Sequence, residues 1–259
     1  LDTNLLGIFC TNISLCASNI DLVNRLKLQA WEDPGLKIPN MLALLEHIQK
    51  QIDGYLPVND QMVVIDIDGF NQINELLGHD YGDTILQLVV DRIREVVGEG
   101  VFFARIGADA FAILGNTSCC TPDKLKSLST MRVKTPDGER ELSFSIGITR
   151  MDPLAGNAST QLRNAVVAVK RAKGEGIGQI VRYSPEIGDE TRERIRLLSH
   201  LKEAVAEDKL FLMFQPQVRI SDRKAFSCEA LLRWKTDDGQ FVPPDRFIPL
   251  AEQGGLIAP

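Results

Sequence analysis

Three aspartates stand where a carboxylate could do chemistry. Asp66 and Asp68 close the apolar run VVIDID, and Asp109 lies between two apolar runs in ARIGADAFAIL. If VVIDI is a strand, alternation puts Asp66 and Asp68 on one face. Ionised carboxylates at the mouth of a buried strand are costly unless paired or metal-bound. Asp109 would bring a third acid from a neighbouring hairpin. Two facing carboxylates and a free backbone carbonyl make a hard-cation site, the kind used with Mg²⁺ and nucleotide phosphates. A structural reading competes with this one: an aspartate before Gly69 suits the cap of a following helix.

The elements that must position these acids can be read from periodicity and breakers. Ile20, Val23, Leu26 and Ala30 have helical spacing, either as a signalling helix or as an ordinary packed one, and Pro34 and Gly35 end it. Pro39 opens a second helix with Met41, Leu44, Leu45, Ile48 and Ile52 on its stripe. QMVVIDI (61–67) reads as a buried strand, followed by helices near 69–77 and from about Gly82 to Val97. VFFAR and AFAIL form a hairpin around Asp109. Its turn would use two glycines most easily, and Ala108 in a left-handed conformation would cost about 1–2 kcal/mol. A short helix after Pro122, a hairpin between 131–134 and 141–149, a helix over 158–173 and the strand GQIVRY complete a first unit. This order implies an α+β or α/β fold with a mainly antiparallel central sheet flanked by helices. A charged helix over 188–208 leads to strands LFLMFQPQV and AFSCEALLRW and to a Pro-started helix at PPDRFIPLAEQ.

Composition bounds the function. The 259 residues are 44% hydrophobic and 25% charged, as in globular domains, and the net charge of −6 gives no electrostatic case for nucleic-acid binding. No apolar run approaches the length of a membrane helix. The five cysteines form no CxxC pair and read as reduced thiols of a cytoplasmic protein. The chain opens on Leu1, so an upstream sensor domain or membrane anchor is expected.

Several motifs carry a resemblance. DPGLKIPN, VVIDIDGFNQINELLGHDYGD, RIGADAF and FSIGIT stand in the order of the motifs of GGDEF domains, and residues 33–183 resemble that family, which condenses two GTP into cyclic di-GMP. FQPQV, CEALLRW and PPDRFIPLAEQGGLI are similar to the start of EAL domains, which hydrolyse cyclic di-GMP. The implied organisation is an N-terminal linker or signalling helix (1–32), a degenerate GGDEF domain (33–183), a connector helix (184–209) and the first strands of a truncated EAL-type (α/β)₈ barrel (210–259).

The resemblance also implies roles. Asp66 and Asp109, with the Ile67 carbonyl, match the family's ligands for Mg²⁺ (or Mn²⁺). Asn74 and Asp83 match the residues that recognise guanine, and Lys173 matches a phosphate contact. Two other phosphate cations are replaced, by Asn71 and Ile177. The signature itself carries Ala108 and Ala110, and the family's product-inhibition motif falls on Gly98 and Val101. In the EAL segment Glu229 matches a metal ligand, and Gln215 and Arg233 match contacts to the cyclic dinucleotide; on residue chemistry alone Glu229 reads more readily as a solvated strand residue. A barrel needs roughly 200 residues, so cyclic di-GMP would be bound only by a complete EAL domain. The reading is a catalytically inactive GGDEF module, binding GTP weakly if at all, that regulates an EAL phosphodiesterase and can form a homodimer. The alternatives are a weakly active diguanylate cyclase and a purely structural or dimerising module.

Overall fold

A computed structural model describes residues 13–20, 30–135 and 138–257. Most of the helix expected over 20–31 lies outside the described residues. The chain divides into two compact units, one ending at Ile187 and one beginning at Gly188.

The first unit runs α1 (Met41–Ile52), β1 (Gln61–Ile67), α2 (Phe70–Leu77), α3 (His79–Val97), β2 (Phe102–Arg105), β3 (Ala110–Gly115), α4 (Pro122–Ser129), β4 (Thr130–Thr135), β5 (Gly138–Arg150), α5 (Ala158–Glu175) and β6 (Ile180–Arg182). The sheet order is β2-β3-β1-β5-β4, with β6 parallel to β5 and every other pair antiparallel. The α+β architecture with a mainly antiparallel sheet is thus the one the sequence implies.

β1 is central, and its two faces meet different helices. Val63, Ile65 and Ile67 enter one core with Ile85, Val89 and Ile93 of α3. Met62 and Val64 enter the other with Leu44 and Ile48 of α1 and Leu162, Ala165 and Val169 of α5. Alternation therefore directs Asp66, the next residue in the even series, to the α5 side.

One boundary differs from the sequence reading. α3 begins at His79, not near Gly82; only Gly78, at φ 87°, separates it from α2. Gly82 sits inside the helix because a Cβ there would lie 1.9 Å from Asn74 Oδ1 and 3.2 Å from Phe70 Cζ. The glycine is a packing requirement, not a break.

In the second unit, α6 (Pro185–Ala206) leads from the end of the first unit into β7 (Leu210–Val218), β8 (Ala225–Lys235), β9 (Phe241–Val242) and α7 (Pro244–Gln253). The strands form one antiparallel sheet, β7-β8-β9, and no barrel closes. Leu201 and Ala204 of α6 pack with Trp234, Phe247 and Leu250, and the Trp234 and Phe247 rings meet edge to face at 5.7 Å. Gly188, near the start of α6, is buried. Among the described residues no helix is long and apolar enough to cross a membrane.

Gly147 fixes how closely α5 lies on the sheet. A Cβ there would stand 2.4 Å from the Ala165 carbonyl oxygen and 2.5 Å from the Val169 nitrogen, both backbone atoms that cannot move alone. Gly147→Ala is expected to destabilise the first unit by about 3 kcal/mol or more, read by urea denaturation; a change under about 1 kcal/mol would mean that α5 can slide.

Candidate functional site

The end of β1 gathers three acids and one cation. Asp66 is 17% exposed, and the Lys173 ammonium, from the last turn of α5, lies 2.6 Å from its Oδ1. Oδ1 is shut off from solvent, so the Lys173 ammonium is what faces it. Burial pushes the Asp66 carboxyl above the usual range, Lys173 works against that, and the Asp109 and Asp68 carboxylates add to it. Asp109 is tied to the strand end by its carbonyl, which accepts from the Ile67 N–H at 3.1 Å.

Asp68 does something different. Its Oδ1 accepts from Ser145 Oγ at 2.6 Å and its Oδ2 from the Gly178 N–H at 3.0 Å. The helix-cap reading fails here: the N-cap of α2 is Gly69 in a left-handed conformation, with no side-chain cap. Asp68 instead latches the loop after α5 to β5.

The hairpin turn departs from the expected strain. Neither Gly107 nor Ala108 has a positive φ, so Ala108 bears no left-handed penalty. The turn is wide, closed by Ile106 and Gly107 N–H groups donating to the Ala110 carbonyl, and a wide turn needs no mirror-image residue. Arg105 holds it from one side. Its Nε donates to the Gly107 carbonyl at 3.0 Å, one Nη donates to the Ala108 carbonyl at 2.6 Å, and the other pairs with Asp33 Oδ2 at 3.0 Å. Asp33 in turn accepts from the Gly35 and Leu36 N–H groups, and Asn40 caps α1. The segment 33–40 is thereby fastened to the loop that carries Asp109.

The α2–α3 junction forms a second cluster. Asn74 Oδ1 is buried against Gly82 with no hydrogen-bond partner, and the Tyr81 hydroxyl is also buried without one. Asp83 follows Gly82 on the exposed side of α3. Asn71 is exposed, and Ile177 is 74% exposed although it is apolar.

In the second unit Gln215 and Glu229 are direct cross-strand partners, and Arg233 lies four residues on from Glu229, opposite Phe211. All three share one face of the β7–β8 ladder. The other face carries Leu210, Leu232 and Trp234 into the small core.

Among the described residues no group of three or more His, Cys, Asp and Glu side chains is arranged to hold a metal ion. The donor set at β1 is smaller: Asp66, whose Oδ1 is shut off from water, and Asp109 beside it. Two carboxylates against one ammonium leave net negative charge, which fits a hard divalent cation.

The family profile described as "Diguanylate cyclase, GGDEF domain" matches residues 30–179. The chain belongs to the GGDEF family. An EAL-domain profile follows over residues 199–259, so the chain carries the tandem order of cyclic di-GMP signalling proteins. Signaling protein YkoW of Bacillus subtilis is 33% identical over 238 residues, covering 88% of this chain and 30% of that protein. The bifunctional diguanylate cyclase/cyclic di-GMP phosphodiesterase MucR of Pseudomonas aeruginosa is 30% identical over 253 residues, covering 94% and 37%. The chain thus spans about a third of the length of these curated relatives. The coiled coil and GGDEF domain of DgcB from Caulobacter crescentus, solved in complex with c-di-GMP, superposes with a TM-score of 0.59 at 18% identity, covering 69% of this chain and 98% of that one.

Within the GGDEF unit, Arg105, Asp33, Ser145 and Gly178 have structural duties at the site that residue spacing did not assign. Arg105 and Asp33 lie 72 positions apart, and only folding joins them. The acid in DPGLKIPN and the arginine before the turn were the available signals.

Asp66 also sets a pH dependence. A carboxyl raised in the fold contributes most stability at pH values below its unfolded pKa, and that contribution is lost as pH rises through the folded pKa. Asp66→Asn should therefore be as stable as wild type near pH 4 and more stable at pH 7.5 in chelator, by urea denaturation. Lower stability of the variant at pH 7.5 would show that the Lys173 pair outweighs burial.

Proposed function

We propose that the GGDEF unit is a noncatalytic, guanine-nucleotide-binding module that regulates an EAL phosphodiesterase domain. The observation that carries this reading is the orphaned Asn74 Oδ1, held open by Gly82 next to Asp83. A buried acceptor without a donor costs about 1–3 kcal/mol, so a cluster that keeps one is suited to a ligand that donates. Guanine presents N–H donors on its Watson–Crick edge, where adenine presents a bare ring nitrogen. Asn74 and Asp83 would take those donors, and Asp66, Asp109 and the Ile67 carbonyl would hold the Mg²⁺ or Mn²⁺ that neutralises the phosphates.

Catalysis needs more positive charge than the site supplies. Phosphoryl and nucleotidyl transfer depend on cations that stabilise developing charge. Lys173 is retained, but positions 71 and 177 carry an amide and an exposed aliphatic side chain. Ala110 supplies no carboxylate at the fourth signature letter. Ala108, being unstrained, adds nothing to this case.

The shared face of Gln215, Glu229 and Arg233 on β7–β8 supports the second half of the reading. Gln215, Glu229 and Arg233 would join a complete EAL barrel as cyclic dinucleotide and metal contacts. The thiols of Cys16, Cys119, Cys120 and Cys228 are unpaired, which suits a reducing compartment.

Calorimetry with GTP and Mg²⁺ tests the proposal. Binding should be weak, metal-dependent and guanine-selective. Two absent charge-assisted contacts correspond to an affinity loss of about 10²-fold or more, and Asn71→Lys with Ile177→Arg should recover part of it. Gly82→Ala, which pushes the Asn74 amide aside, and Asp83→Ala should abolish binding while the fold persists. No cyclic di-GMP should form. Equal affinity for ATP, or indifference to Asp83→Ala, would show that the pocket is elsewhere. Metal-dependent product formation that disappears in Asp66→Ala would make the unit a cyclase. No binding even in the restored variant would leave a structural module.

A further inference from the structure

The ion pair at β1 joins two groups that the reading above gives to different partners: Asp66 to a metal, Lys173 to phosphate. The Lys173 ammonium lies 2.6 Å from Asp66 Oδ1. A divalent metal binds carboxylate oxygens at about 2.0–2.6 Å. One oxygen cannot hold both cations at those distances, because they would then stand within a few ångströms of each other in a partly buried site.

Asp68 cannot take over Lys173. Both its oxygens are engaged, one by Ser145 and one by the Gly178 N–H. These donors are neutral, so the Asp68 charge remains near Asp66 without a counter-ion of its own and strengthens the hold on any cation there. Lys173 can leave without cost to the core. Its side chain is 41% exposed, and it grows from the last turn of α5, where the helix end favours a cation. When displaced, its four-carbon stem can turn its ammonium outward to whatever anion is present.

We propose that Lys173 is a tethered counter-cation that a divalent metal must displace from Asp66, and that nucleotide phosphates then take up the displaced ammonium, so metal and nucleotide bind with positive coupling. The inference rests on Asp66 and Asp109 as metal donors and deepens that reading. In the metal-free protein Lys173 keeps the site closed to a bare cation. With phosphate present, the ammonium exchanges one anion for another, and the cost of displacement is offset. Linkage makes the coupling reciprocal: metal must tighten phosphate by the factor by which phosphate tightens metal.

The test titrates the full chain with Mn²⁺ alone, followed by electron paramagnetic resonance or calorimetry, in wild type, Lys173→Met and Lys173→Gln. Both variants keep the stem and remove the charge at a half-exposed position, so folding should survive in at least one. Mn²⁺ should bind more tightly to the variants, on the order of 10-fold, the equivalent of one ion pair of moderate strength. Mn²⁺–GTP should bind them no more tightly than wild type, because the phosphate partner is gone. Unchanged or weaker Mn²⁺ binding in both variants, or no Mn²⁺ binding in any of the three proteins, would overturn the inference. Tighter Mn²⁺ binding in the variants with no GTP binding in wild type would uphold the displacement and sink the guanine-nucleotide reading. Tight Mn²⁺–GTP binding in wild type with Mn²⁺ affinities equal in all three would do the reverse.

Discussion

A helix can approach a sheet only as closely as the side chains between them permit, and at Gly147 there are none. α5 lies against β5 there with its own backbone, the Ala165 carbonyl and Val169 N–H, in the space a Cβ would take. That depth determines where α5 ends. Its last turn reaches the mouth of β1, and Lys173 meets Asp66. The loop beyond it falls within range of Asp68, which holds Gly178 and so starts β6 beside β5. A single missing methyl group thus governs the spacing of the acids, the cation and the strand that closes the first unit.

The carboxylates at this mouth differ in what holds them. Asp68 is fully hydrogen-bonded by neutral donors and serves the fold. Asp66 is largely buried, raised and matched by the half-exposed Lys173, so its charged form weakens the fold. Residues with like chemistry, one near the end of β1 and one just past it, have different surroundings because Asp68 looks across to Ser145 and Asp66 to the end of a helix.

Much of this was legible in the sequence. Apolar stripes and breakers defined the helices and strands, and alternation put Asp66 and Asp68 on one face. The family motifs singled out Asp66, Asp109, Asn74 and Asp83 together, which no local pattern could do. Three features were not legible. The conformation at Ala108 depends on the width of a turn, and width is set by which carbonyl closes it. The true start of α3 was hidden because a glycine normally ends helices, and Gly82 is tolerated for a tertiary reason, the Asn74 side chain from another helix. The Arg105–Asp33 clamp spans 72 residues, and neither partner has a periodicity to betray it.

The ladder of β7 and β8 shows a different economy, one of chain length. Gln215 shares a face with Glu229 and Arg233 only while the register holds, since a slip of one residue in β7 would turn Gln215 to the other face. The register shifts once, between Gln217 and Val218, at the end nearest the 219–224 turn. A bulge there can absorb an extra or missing residue before the error reaches Gln215. The turn is therefore the place where this hairpin can change length over evolutionary time, while the residues beyond the bulge can change only by substitution, one side chain at a time.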